Sequence, residues 1–404
     1  MKRLVCLILA FSLFGCTASR KTIEASTNYG NLDHARNKEI EIAKELPYRD
    51  IKLRTLDEVQ MQDNGELDIR FTDIRERTFS TEELQYVVFD SATKWSKELL
   101  VEYQPAQVMD MGKNPGLGIR DLHKQGITGK GVNIAIVDQG LNPNHEEFRD
   151  KLVWYEEIHS YDQYVSMHGP AVTSLAVGQS TGVAPGAKVY YIASSFYDVD
   201  ENQNFQTNLT YMANAIDRVL EINEALDAQE KIKIISISRG FTLGEQEEKG
   251  SREVYEAIER AKKKGIFVIT TSTNENYQVN VLGLGRNADA NPEHIDAYDK
   301  GMFLKNVNFV EDEMNNIWVP MDMRTYASFT GTQDYTFASQ GGLSWVVPWL
   351  AGMYALCLQV KPTLTYQDFL NLVCATTQTK SCEDGSVLQG IIQPKALIKA
   401  VSKQ

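Results

Sequence analysis

From about residue 110 the chain alternates near-continuous apolar runs with amphipathic segments, and that alternation leaves few folds open to it. Val132–Asp138, Lys188–Ser194, Ile232–Ser238 and Ile266–Ser272 read as strands buried on both faces. Between them, His168–Val177 reads as a helix. Leu209, Met212, Ala213, Ile216, Val219 and Leu220 share one helical face. Val254, Ala257, Ile258 and Ala261 mark another, closed by Lys262–Lys264 and then Gly265. The pattern predicts an α/β fold: a doubly wound parallel sheet with helices on both faces. Sites in such sheets gather beyond the carboxyl ends of the strands. Here those ends carry Asp138-Gln139-Gly140, Ser238-Arg239-Gly240 and Thr273-Asn274-Glu275. The run Ser344–Val360 is strongly apolar but slightly short for a membrane span, and reads as a central core helix. Gly341, Gly342 and Leu343 precede it, so Ser344 falls at a helix N-terminus.

Charge and composition narrow the function. Against 41 Lys and Arg stand 54 Asp and Glu, a net charge of −13, which argues against a nucleic-acid partner because phosphate recognition needs a basic face. With 43% hydrophobic and 24% charged residues the chain can bury a sizeable core, and its negative mean hydropathy excludes a polytopic membrane protein. At the N-terminus, Lys2 and Arg3 precede the short apolar run Leu4–Phe14, which fits a signal peptide over residues 1–15. Gly15-Cys16 resembles a bacterial lipobox, with Phe14 departing from the smaller residue usual there. That resemblance implies a lipidated Cys16, an exported protein of the cell envelope, and acyl chains holding it to a membrane surface. Residues 16–48 read as a polar tether. Residues 49–104 carry strand-like Glu66–Thr72 and helix-like Thr81–Lys97, and residues 105–404 hold the regular alternation. Cys357, Cys374 and Cys382 remain after the leader. Three is odd, so no full disulfide framework exists, although Cys374 and Cys382 either pair or stay as free thiols.

A serine nucleophile needs a base, and the base needs an orienting acid. Ser344 has the positive end of a helix beside it. His34, His123, His145, His159, His168 and His294 compete for the base; His168 opens an apolar-faced helix on a rigid element. Asp138 closes a buried strand, where its carboxylate could hold the imidazole.

The order Asp, His, Ser resembles that of the subtilisin-like serine proteases. Asn133-Ile-Ala-Ile-Val-Asp-Gln-Gly-Leu-Asn-Pro-Asn-His145 is similar to that family's aspartate block, and Met167-His-Gly-Pro-Ala-Val-Thr-Ser-Leu-Ala-Val-Gly178 to its histidine block. Gly182-Val-Ala-Pro-Gly186 matches the turn that follows, and Gly126-Ile-Thr-Gly-Lys-Gly131 the lead-in to the first catalytic strand. Ile234–Gly240 resembles the edge that pairs with bound peptide. Val268–Asn274 resembles the strand ending in the oxyanion asparagine, and Gly342-Leu-Ser-Trp-Val-Val-Pro348 the nucleophile block. The likeness covers residues 110–404. It implies a subtilisin-like catalytic domain over residues 105–404 and a serine endopeptidase acting on polypeptides. Asp138 would be the acid, His168 the base, Ser344 the nucleophile, and Asn274 with the Ser344 N–H the oxyanion donors. It also implies that residues 49–104 are a candidate inhibitory prosegment. No cofactor is expected. Structural calcium occurs in some relatives, but nothing here fixes metal ligands: Asp198-Val-Asp200-Glu-Asn202 begins like a calcium loop and lacks its glycine.

The departures are local. Gln139, Thr273, Leu343 and the bulky Trp345-Val346-Val347 replace smaller or hydroxylic residues of the family, and Pro170-Ala171 its usual Thr-His. They suggest a divergent branch with a reshaped pocket, and they motivate the alternative of an inactive pseudoprotease that binds peptides. A surface scaffold is a weaker rival. Arg239 stands where an apolar residue is usual, which suggests a preference for an acidic side chain in the substrate. Gly178-Gln-Ser180-Thr-Gly182 fits G-x-S-x-G but lies between a helix and a strand, the reverse of a nucleophile elbow. Gly283-Leu-Gly285-Arg-Asn-Ala288 fits a dinucleotide fingerprint, yet no helix opens after it.

Overall fold

Each apolar run alternates its side chains between two packed faces, and this sets the architecture. The structure, a computed structural model, describes residues 24–59, 61, 62, 65–305, 315–382 and 385–404. The expected signal peptide and Cys16 lie outside the described residues. In chain order the strands are Ser26–Asn28 (β1), Glu41–Ile42 (β2), Leu67–Asp68 (β3), Val87–Asp90 (β4), Asn133–Asp138 (β5), Leu152–Ser160 (β6) and Lys188–Ser194 (β7). A hairpin, Tyr197–Val199 (β8) and Phe205–Thr207 (β9), precedes Ile232–Ser236 (β10) and Phe267–Ile269 (β11). The main sheet runs β1-β6-β7-β5-β10-β11, with β2 also on β6. All neighbours from β6 to β11 are parallel. From β5 the chain winds to β6 and β7 on one side, then crosses to β10 and β11 on the other. The fold is thus the expected doubly wound α/β sheet, and its switch point lies between β5 and β10.

Alternation along β5 sends Ile134 and Ile136 into one core and Ala135 and Val137 into the other. The first core holds the helix His168–Val177 and the helix Leu343–Val360; the second holds the helices Thr210–Ala225 and Ser251–Lys263. Asp138 continues the parity of Ile134 and Ile136, so its side chain turns to the face of the first two helices. The Leu343–Val360 helix is apolar and long enough to cross a membrane, but it is buried in the protein core.

Two smaller sheets complete the fold. Val279–Arg286 (β12), Tyr298–Lys300 (β13) and Asn315–Pro320 (β14) join Gln378–Ser381 (β17) and Val387–Ile391 (β18) in the order β13-β12-β14-β18-β17. Arg324–Ala327 (β15) and Tyr335–Ala338 (β16) form β15-β16-β4-β3 with the N-terminal strands.

Several local expectations change. The helix expected over Thr81–Lys97 is a single turn, Thr81–Leu84, followed by β4, because the β-branched pair Val87-Val88 enters a sheet between β3 and β16. Residues 24–48, expected as a tether, supply β1 and β2 to the main sheet. Strand β6 carries no clear strand signature in the sequence, because Glu156 and Glu157 interrupt its apolar run. Both are fully buried, and Arg218 and Lys44 neutralise them at 2.9 Å from elsewhere in the chain. Cys357, Cys374 and Cys382 are free thiols.

Candidate active site

Asp138 is the last residue of β5 and is 4% exposed. Its Oδ1 accepts from His168 Nδ1 at 2.7 Å and from the Gln139 N–H at 2.8 Å. His168 is the first residue of its helix, with 23% of its side chain exposed. Burial opposes a charge on the ring, but the Asp138 carboxylate and its hydrogen bond outweigh that, and the His168 pKa is raised above its ordinary 6.5. A hydrogen bond at Nδ1 leaves Nε2 as the atom able to take up a proton.

Gly169 explains how the helix comes so close to the acid loop. A Cβ there would collide with the Gln139 carbonyl and lie 2.5 Å from Tyr191 Oη. Tyr191, fully buried in β7, donates to that same carbonyl. Gly169→Ala should push the helix from the strand end. We expect a loss of about 1–3 kcal/mol in stability from overpacking. Thermal unfolding reads the effect; an alanine variant as stable as wild type would contradict this account.

Ser344 is the second residue of the Leu343–Val360 helix, where its N–H is one of the first-turn donors that have no intrahelical acceptor. Pro348 lies inside the helix, in its second turn. Having no N–H, it cannot bond the carbonyl four residues before it, which is that of Ser344. Ser238, just beyond β10, fills the gap: its hydroxyl donates to the Ser344 carbonyl at 2.8 Å. In return the Ser344 hydroxyl donates to the Ser238 carbonyl at 3.2 Å. The Trp345 ring lies 5.5 Å from the His168 ring, tilted by 33°. The structure therefore joins Asp138 to His168 and brings the Ser344 helix against the imidazole, while the Ser344 hydroxyl is directed at Ser238. Asn274 opens the short helix Asn274–Tyr277 beyond β11, half-buried, with its amide donating to Glu275 at 3.4 Å.

Other candidates have different occupations. His123, His145 and His159 each hold a backbone carbonyl, those of Val183, Asp334 and Tyr197. Burial lowers the pKa of all three. His34 pairs with Glu41 at the edge strand β2. Arg239 forms an ion pair with Glu248 at 2.7 Å, so its charge is already met within the chain. Asp198 accepts from Tyr211, Asn208 and Lys249 at 2.7, 2.8 and 3.0 Å, and Asp200 closes the β8–β9 turn through Asn202 and Asn204. Ser180 bonds to the buried Glu147, and Gly283 and Gly285 lie within β12.

Sequence reasoning missed the groups that shape the site from behind. Asp162 Oδ2 accepts from the Gly140 N–H at 2.6 Å, and burial, with Asp138 and Glu157 nearby, raises its pKa to about 6. Ser238 carried a signal: a proline four residues after Ser344 announces a carbonyl in need of a donor.

A model of the subtilase family matches residues 129–301. The chain is 26% identical over 140 residues to the subtilisin-like protease PopC of Myxococcus xanthus (strain DK1622), covering 31% of this chain and 28% of PopC. It is 25% identical over 256 residues to subtilisin NAT of Bacillus subtilis subsp. natto, covering 60% of each. The chain thus spans less than two thirds of either curated relative. The prenylagaramide maturation protease PagA shares the fold, with a TM-score of 0.50 at 17% identity over 71% of this chain and 99% of that one. Residues 129–301 are thus similar to the subtilase family, and the chain has the fold that PagA shares.

Proposed function

We propose that the chain is a serine endopeptidase that opens peptide bonds with Ser344, His168 and Asp138, and with Asn274 beside the Ser344 N–H as oxyanion donors. The observation that carries this reading is the 2.7 Å hydrogen bond from His168 Nδ1 to a carboxylate at the sheet's switch point, on the face shared with the Ser344 helix. Ser344 Oγ attacks the peptide carbonyl carbon as His168 Nε2 takes the hydroxyl proton. Asp138 stabilises the imidazolium without taking its proton. The tetrahedral oxyanion is held by the Ser344 N–H and the Asn274 amide, and a donor of that kind is typically worth about 2.7–4 kcal/mol of barrier. His168 then protonates the leaving amine, and a water activated by the same ring releases the acyl group. To begin, the Ser344 hydroxyl turns about χ1 from the Ser238 carbonyl toward His168. Catalytic hydrogen bonds are often formed only with substrate bound.

The Ser344–Ser238 hydrogen bond favours the second reading, a peptide-binding module that does not cut. A fluorophosphonate probe separates the two. Covalent labelling of wild type that is lost in Ser344→Ala supports the peptidase; absence of labelling on folded wild type supports the binding module. The N-terminal pattern of Lys2-Arg3, the apolar run Leu4–Phe14 and Gly15-Cys16 supports a cell-envelope protein with residues 1–15 as its export signal and Cys16 as the lipid acceptor.

A further inference from the structure

The turn Ser339–Gly341, directly before the Ser344 helix, is held from outside its own segment. Glu66 Oε1 accepts from the Ser339 hydroxyl at 2.9 Å and from the Gln340 N–H at 2.7 Å. The Ser339 N–H donates to the Val87 carbonyl of β4 at 3.3 Å. Asp322 completes the cradle: its Oδ1 accepts from the Gly341 N–H at 2.8 Å and its Oδ2 from the Met302 N–H at 2.7 Å. Glu66 is 8% exposed, and it comes from the region expected as a removable prosegment.

The segment just before it, expected as a tether, also reaches the loops beside the acid and the base. Leu46 is fully buried and occupies the space a Cβ on Gly140 would need. Its carbonyl accepts from Asn142 at 2.7 Å, and the Pro47 carbonyl accepts from the Val165 N–H at 3.0 Å. Those contacts fall two and four residues after Asp138 and three before His168. Strand β4 is an interior strand of its sheet, and its Phe89, 1% exposed, lies 5.1 Å from Phe337 of β16. Detaching residues 24–104 would break that sheet and bare a core.

We propose that this N-terminal region is a permanent brace, retained in the working enzyme, and that Glu66 is a positioning residue that fixes the turn leading to Ser344. The proposal rests on the peptidase reading only for its effect on rate. A carboxylate bonded to two donors of one turn orders the backbone that aims the nucleophile. Without it, the first turn of the Ser344 helix is free to shift, although the triad residues are all present.

Three measurements on the full chain test the proposal. In the first, hydrogen exchange of the peptide spanning residues 339–344 is compared between wild type, Glu66→Leu and Glu66→Gln. Loss of both accepted bonds should raise exchange in Glu66→Leu by about tenfold or more. The glutamine carbonyl can still accept from both donors and should keep exchange near wild type. In the second, labelling by the fluorophosphonate should slow by about 10- to 100-fold in Glu66→Leu, with the loss in the maximal rate rather than in probe affinity, and recover in Glu66→Gln. In the third, the labelled wild-type species should still contain Glu66 by intact mass. Unchanged exchange in a folded Glu66→Leu variant, or a labelled species that begins beyond residue 104, overturns the brace. If Glu66→Leu does not fold, Glu66→Gln decides, because rapid exchange in that variant also overturns it. A wild type inert to the probe overturns the peptidase reading alone, since exchange reports on the brace without any catalysis.

Discussion

On the proposed peptidase mechanism, replacing His168 by alanine is expected to lower turnover by about 10⁶-fold, and adding Ser344→Ala to lower it no further. The first part follows from the ring's surroundings. Among the described residues, His168 is the histidine bonded to a carboxylate at a strand end of the switch point, and it lies beside the Ser344 helix. Without its Nε2, the Ser344 hydroxyl has no acceptor for its proton, and its present partner, the Ser238 carbonyl, cannot take one. The second part follows from shared function: once the base is gone, the alcohol is no longer activated, so deleting it removes little more. Residual hydrolysis would come from the oxyanion donors and substrate binding. The ring is partly exposed and its helix is otherwise buried in an apolar core, so the variant should remain folded. Steady-state hydrolysis of a peptide, beside a thermal melt, provides the check. A folded His168→Ala variant losing less than tenfold, or a double variant far below either single one, contradicts a triad acting as a unit.

Much of the fold around the candidate site was legible because its parts are local. The apolar run ending at Asp138, the helix opening at His168 and the apolar helix behind Ser344 each announce themselves within ten or twenty residues, and β7 and the His168–Val177 helix have the bounds the pattern suggested. What could not be read depends on partners far along the chain. Strand β6 is disguised by two glutamates whose cations, Lys44 and Arg218, lie more than sixty residues away. Residues 24–48 look like a tether because their polarity is real; pairing with β6, which no short window contains, turns them into edge strands. Glu66 and Asp322 hold the turn before Ser344 through hydrogen bonds that span 274 and 19 residues. Burial raises the Asp322 pKa to about 7, a value set wholly by the folded surroundings. Arg239 is the opposite case, a residue that stood out locally and then proved to be paired with Glu248.

The acid should reveal itself through pH as well as rate. Asp138→Asn is expected to lower turnover by about 10⁴-fold, because the asparagine amide can present a donor to Nδ1 and so place the ring proton on Nε2, where the base must be free. In wild type the reactive ring is neutral, so labelling by the fluorophosphonate should rise with pH through an inflection above 6.5, the direction in which Asp138 moves His168 against the effect of burial. The linkage has a definite sign. His168 binds its proton more tightly folded than unfolded, so its pairing with Asp138 stabilises the fold fully below pH 6.5, and that increment is lost as pH rises through the folded-state value. In Asp138→Asn, burial acts without its counterweight. The inflection should fall below the wild-type position, and the decline in melting temperature across that window should flatten. An inflection that stays in place in the variant would show that a group other than His168 governs the rate. A wild-type melting temperature that instead climbs through the same window would mean that the ring is not held charged by Asp138.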